Sequence, residues 1–234
     1  MRIKSLVLAL VLVAASVTTA SAGPLLYEDV LYWMPDGSTQ INPAVGPVTA
    51  IVKIQESVYS CDDGPVIVHD LDAHGLIVGP APVNGGVSPA GPFELYVYAI
   101  TNLNYGWGAG GAGNGVSGFN NTSPYALAGG AATVWAPVQG VTPWTPEPGF
   151  AGPIEWDNDK GLGIIRSQSR SEFLVAVPCG TAHGFYDGNW VHTWVGGVQN
   201  DLVYGVLSGP VGIPEPTTLV LLGAGLLVIA RRRK

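Results

Sequence analysis

Residues 93–101 read Phe-Glu-Leu-Tyr-Val-Tyr-Ala-Ile-Thr, nine positions dominated by aromatic and β-branched side chains. Such side chains are restricted at χ1 and fill a pleated surface well, so the stretch predicts a strand near the centre of a sheet. Upstream, in residues 48–58, Val48, Ala50, Val52 and Ile54 alternate with Thr49, Lys53, Gln55 and Ser57. That period of two predicts a half-buried strand. Asp62-Asp63-Gly64-Pro65 has turn chemistry, and residues 66–71 are expected to return as a further strand. Downstream, residues 172–177 predict a strand stopped by Pro178, and residues 190–195 and 202–207 extend the set. Between the two ends of the chain no ten-residue window has a helical period, and the 33 Gly and 19 Pro suit turns better than helices. The expected fold is all-β: a β-sandwich with Greek-key, immunoglobulin-like or jelly-roll-like connections, with an eight-stranded barrel as the alternative.

The composition excludes several classes. Of 234 residues, 47% are hydrophobic and only 12% charged, which is a globular composition and not that of a solvated disordered chain. The formal charge of −7 excludes a strongly basic nucleic-acid binder. Residues 23–212 keep four basic residues (Lys53, Lys160, Arg166, Arg170) against sixteen acidic ones, a formal charge of −12. Such a surface favours solubility and cation association, and disfavours anionic lipid.

The two ends carry addresses. Arg2 and Lys4 precede an apolar run, LVLALVLVAA over residues 6–15, and Ala20-Ser21-Ala22 supplies small residues ahead of Gly23. This predicts a signal peptide over residues 1–22, cut by signal peptidase between Ala22 and Gly23. The apolar run is short of the ~20 residues that span a bilayer, so a cleaved segment is favoured over an anchor. At the other end, residues 213–234 contain Pro214-Glu215-Pro216, an apolar stretch over residues 219–230, and Arg231-Arg232-Arg233-Lys234. The terminal charges predict a cytoplasmic end, with everything before Pro214 on the far side of the membrane. Twelve apolar residues rise about 18 Å against a ~30 Å hydrocarbon core, which suits a transient stop better than a permanent anchor.

This three-part tail resembles the PEP-CTERM sorting signal of Gram-negative bacteria, a segment also labelled an ice-binding protein C-terminal domain. The resemblance implies recognition by exosortase, a membrane-embedded cysteine transpeptidase, with Pro214, Glu215, Pro216, Arg231, Arg232 and Arg233 as the sorting residues. It further implies transient residence in the inner membrane, then release to the cell surface or extracellular matrix. Residues 96–103 with Phe119, then Ile154-Glu155-Trp156 and residues 169–173, also resemble β-sandwich modules found in many proteins that carry this tail.

Within residues 23–212, Cys61 and Cys179 are the only cysteines. An even count in an exported protein predicts a disulfide, and both stand at expected strand ends; two separate buried thiols are the alternative. Gly108 to Gly113 satisfies G-x-G-x-x-G but lacks the following helix, so no dinucleotide site is expected. His69-Asp70-Leu71-Asp72-Ala73-His74-Gly75 and Asp157-Asn158-Asp159-Lys160-Gly161 space oxygen and imidazole groups as a metal loop does. Neither has an acid at the twelfth position, where Ala81 and Gln168 stand, so tight turns are favoured and no metal or other cofactor is expected.

The seven Trp, at 33, 107, 135, 144, 156, 190 and 194, are expected mainly to pack in the core. The loop expected between Trp135 and Trp156 is the best place for exposed rings that stack on sugars. No G-x-S-x-G, H-E-x-x-H or paired-carboxylate signature supports catalysis. The expected activity is therefore that of a non-enzymatic surface or matrix protein, with exosortase and signal peptidase as processing partners. A carbohydrate-binding module for exopolysaccharide is the alternative, and a secreted enzyme with an unrecognised site is a weaker one.

Overall fold

The computed structural model describes residues 25–105, 115–138, 144–147, 154–158, 163–195 and 198–212, and the side chains within them except those of residues 194–201. The described residues form an all-β structure of two antiparallel sheets. The chain runs β1 (Tyr27–Trp33), β2 (Thr39–Ile41), β3 (Val52–Tyr59), helix α1 (Asp63–Ala73), β4 (Ile77–Val83), β5 (Glu94–Asn102) and β6 (Gly118–Asn121). It continues through a single helical turn α2 (Pro124–Leu127), β7 (Ala132–Pro137), β8 (Thr145–Glu147), β9 (Ile154–Asp157), β10 (Ser169–Val177), β11 (Ala182–Val195) and β12 (Val198–Gly212). The seven-stranded sheet has the order β2-β1-β3-β5-β10-β7-β4, and the five-stranded sheet β12-β11-β6-β9-β8.

The stretch over residues 93–101 becomes β5, the middle strand of the larger sheet. Its inward face carries Tyr96, Tyr98 and Ile100, and its other face buries Leu95. The β3 alternation holds, but the strand begins at Val52; Val48 is fully exposed and belongs to the approach. From Val52 onward, Val52, Ile54, Glu56 and Val58 are buried while their neighbours are only partly covered. The short segments expected over residues 190–195 and 202–207 are parts of one long hairpin, β11 with β12.

Residues 66–71 do not form a strand. They lie inside α1, whose first turn takes Pro65, where the missing N–H costs nothing. The helix buries Gly64 and Val68 and packs Ile67 and Leu71 partly, an i, i+3, i+4, i+7 stripe. That stripe covers Phe93, Leu95, Trp135, Leu174 and Ala176 on one face of the larger sheet. Gly64 is needed there, because a Cβ would stand 2.5 Å from the Phe93 carbonyl oxygen. Asp-Gly-Pro thus opens a helix that must approach the sheet closely. Burial of β-branched residues against the sheet outweighs their weak helix preference.

One core cluster takes side chains from both sheets. Phe119 stacks on Trp156 with ring centres 5.2 Å apart, and Tyr98 and Phe173 meet Phe119 edge-on at 5.9 Å each. Trp33 and Trp156 donate their indole N–H groups to the carbonyls of Val206 and Trp135, at 2.8 and 2.9 Å, so neither is buried with an idle donor. The three Trp of the segment expected as a loop are not exposed rings: Trp135 and Trp156 lie in β7 and β9, and Trp144 is buried against Phe173. Trp33 and Trp190 are buried too, while Trp107 and the Trp194 side chain lie outside what is described.

Candidate functional site

A disulfide joins Cys61, just beyond β3, to Cys179, just before β11, across 118 positions of sequence. It ties the end of β3 to the turn between β10 and β11, where the chain passes from the larger sheet to the smaller one. Gly180, beside the bridge, donates its amide N–H to Glu94 Oε1 at 2.8 Å. Immediately inside that end, three titratable side chains converge from three strands.

Asp29 and Glu56 face each other across the β1–β3 pair, and both point toward the second sheet. They fall in the buried phase of their strands, in line with Leu31 and Trp33, and with Ile54 and Val58. His183 reaches them from β11, its Nε2 3.1 Å from Glu56 Oε2 and 3.6 Å from Asp29 Oδ2. Glu56 is wholly buried, and its other oxygen, Oε1, accepts no hydrogen bond among the described residues. Asp29 Oδ1 accepts from Asn42 Nδ2 at 2.7 Å. Tyr27 stacks flat on the imidazole with ring centres 4.3 Å apart, and Phe185 meets it edge-on at 6.3 Å. Both aromatic rings are about half exposed, at 50% and 48%, so the cluster lies just beneath the surface.

The electrostatics follow from this crowding of acids. Burial pulls the His183 pKa down, but the Glu56 hydrogen bond and the charges of Glu56, Asp29 and Glu94 outweigh it, leaving it above the ordinary value. Tyr96, beside the cluster, is pushed far up, first by burial and then by Glu94 and Glu56. Its hydroxyl has no hydrogen-bond partner among the described residues. Burial also raises Glu94, although its bond from Gly180 opposes the shift.

A second cluster lies on the opposite face of the five-stranded sheet. Register places Asp157 (β9), Gly118 (β6) and His192 (β11) in one row, and Glu155, Asn120 and Trp190 in the next. His192 Nε2 lies 2.9 Å from Asp157 Oδ1, although the pair is not aligned as a hydrogen bond. They meet directly over β6 because residue 118 has no side chain: a Cβ there would stand 2.0 Å from the imidazole. Glu155, Asp157 and His192 are all buried, and one ligand atom from each lies within 4.8 Å of the others, as is also true of Asp29, Glu56 and His183.

The motifs singled out in the sequence fare differently. Residues 69–74 ride on and just beyond α1, not on a metal loop; His74 Nδ1 folds back to the Asp70 carbonyl at 2.7 Å, exposed to solvent. The helix brings only Asp70 and His74 together, with Nδ1 3.5 Å from Asp70 Oδ1 in solvent. Of residues 157–161, Asp157 closes β9 and belongs to the second cluster, while residues 159–161 lie outside the described residues. Gly108 to Gly113 lie outside them as well, as do Ala22, Gly23, Pro214, Glu215, Pro216, Arg231, Arg232 and Arg233. Asp29, Glu56, His183 and His192 were not selected from the sequence, yet a signal existed. Glu56 interrupts the buried phase Val52, Ile54, Val58, and Asp29 precedes Leu31 and Trp33 in the same way.

Among the described residues no helix is long and apolar enough to cross a membrane; the apolar stretch over residues 219–230 lies outside them. Residues 212–234 match the family model of the PEP-CTERM protein-sorting motif. The chain thus carries a PEP-CTERM sorting motif, the mark of a protein exported and sorted by exosortase. No curated protein and no solved structure matches it.

Proposed function

We propose that this is a non-enzymatic protein of the cell surface or extracellular matrix of a Gram-negative bacterium. The sorting motif at residues 212–234 carries the reading. In this reading residues 1–22 are a cleaved signal peptide, and residues 23–212 fold as a disulfide-stapled β-sandwich whose acidity keeps it soluble outside the cell. Residues 213–234 hold the chain in the inner membrane until exosortase acts. Pro214 and Pro216 fix their φ angles and remove two N–H donors, keeping the segment extended where a transpeptidase can bind it. Glu215 offers a negative charge for recognition. Replacing Glu215 with Ala should leave export intact but retain a heavier protein in the inner membrane. Equal release of both versions contradicts the reading.

The half-exposed pair Tyr27 and Phe185 favours a second reading, binding of the cell's own exopolysaccharide through ring stacking. Binding on a glycan array that is lost in Tyr27→Ala supports it. An array without binding leaves the first reading alone.

A further inference from the structure

The seven-stranded sheet contributes two carboxylates to a buried place where the opposite sheet contributes one imidazole. Asp29 and Glu56 carry two negative charges when ionised, and His183 is the only cationic side chain within 4 Å of either among the described residues. A protonated imidazole presents a single N–H at Nε2 to both. One buried charge is then left uncompensated, and Glu56 Oε1 stays without a partner at zero exposure. A divalent cation with a neutral imidazole balances the two carboxylates and takes up a buried lone pair.

The spacing fits such an ion. Bonds of about 2.0–2.2 Å to oxygen and imidazole nitrogen, in tetrahedral to octahedral geometry, put neighbouring ligand atoms roughly 3.0–3.6 Å apart. His183 Nε2 lies 3.1 Å from Glu56 Oε2 and 3.6 Å from Asp29 Oδ2. The supports around the ligands are in place as well. Asn42 fixes Asp29, Tyr27 fixes the plane of the imidazole, and the Cys61–Cys179 bridge ties the end of β3 to the start of β11. Glu56 and His183 are thereby held five and four residues from the two halves of one covalent staple.

We propose that Asp29, Glu56 and His183 bind one divalent first-row transition-metal ion, with remaining coordination positions open toward the surface beside Tyr27. The imidazole selects for zinc-like ions, and three protein ligands are too few for the six to eight oxygens that calcium takes. The ion clamps β1 and β3 to β11, and its open positions can accept water or a carboxylate or hydroxyl from outside. This inference is independent of the sorting reading, because it concerns only the folded exported part and is tested without exosortase.

The test uses the untagged full chain in detergent, stripped with a chelator and then given zinc, manganese or calcium chloride. Metal retained after gel filtration and the melting temperature are both read. Wild type should retain one more equivalent of zinc than Glu56→Gln or Asp29→Asn. At a hundredfold excess over Kd, zinc should raise its melting temperature by about 5–10 °C, a rise that calcium does not reproduce. Asp157→Asn, in the other carboxylate–histidine cluster, should keep that rise. If either substitution at the site prevents folding, wild type alone decides: zinc should move the imidazole resonances of His183. Equal zinc retention by wild type, Glu56→Gln and Asp29→Asn, or His183 resonances unmoved at saturating zinc, overturns the proposal.

Discussion

Replacing Gly118 with Ala sets two physical effects against each other. The methyl group shortens the list of unfolded conformations, a gain of about 0.4–1 kcal/mol at a site that tolerates it. Position 118 does not tolerate it. The new Cβ would lie 2.0 Å from Cε1 and Nε2 of His192 and 2.5 Å from Asp157 Oδ1, where ordinary contact begins near 3.4 Å. The imidazole therefore has to move by more than an ångström inside a site where His192 is 1% exposed. Overpacking of this kind costs about 1–3 kcal/mol, and pushing apart the buried His192 and Asp157 side chains adds to it. The net expectation is a loss of about 2 kcal/mol, a fall of roughly 4–8 °C in melting temperature for a chain of this size. Denaturation of Gly118→Ala, His192→Ala and the double variant forms the assay. Removing the imidazole makes room for the methyl group, so the double variant should be at least about 1 kcal/mol more stable than the two single losses predict. A neutral or stabilising Gly118→Ala, or strictly additive losses, refutes the reasoning.

Two further outcomes are expected. Replacing Cys61 and Cys179 with Ser removes a cross-link spanning 118 positions and should cost about 3–5 kcal/mol in chain-entropy terms, read as a lower denaturation midpoint; an unchanged midpoint contradicts it. Replacing Arg231, Arg232 and Arg233 with Ser should let the tail slip outward and leave the protein unprocessed; the same mature mass as wild type shows that the charges are not part of the signal.

What the sequence discloses here depends on whether burial is local or imposed from a distance. β5 is legible because its own side chains demand a central strand, and β3 because Val52, Ile54 and Val58 set a phase of two. β6 (Gly-Phe-Asn-Asn) and β8 (Thr-Pro-Glu) have no such signal, and their strand state comes from pairing with β9 and β11. α1 is hidden by Asp-Gly-Pro, which reads as a turn until Gly64 is seen pressed on the Phe93 carbonyl. The candidate ligands are legible only as exceptions. Asp29 and Glu56 are acids in the apolar phase of two strands, but their meeting with His183 depends on a sheet-to-sheet register that spacing along the chain does not encode.

Exosortase-dependent processing is the central claim, and the intact mass of the native protein tests it most directly. In cells with exosortase, the released protein should begin at Gly23 and lack the apolar stretch and the terminal arginines. In the same cells without exosortase it should keep them and stay with the membrane. A mass that runs through Lys234 in both, with identical fractionation, contradicts the account.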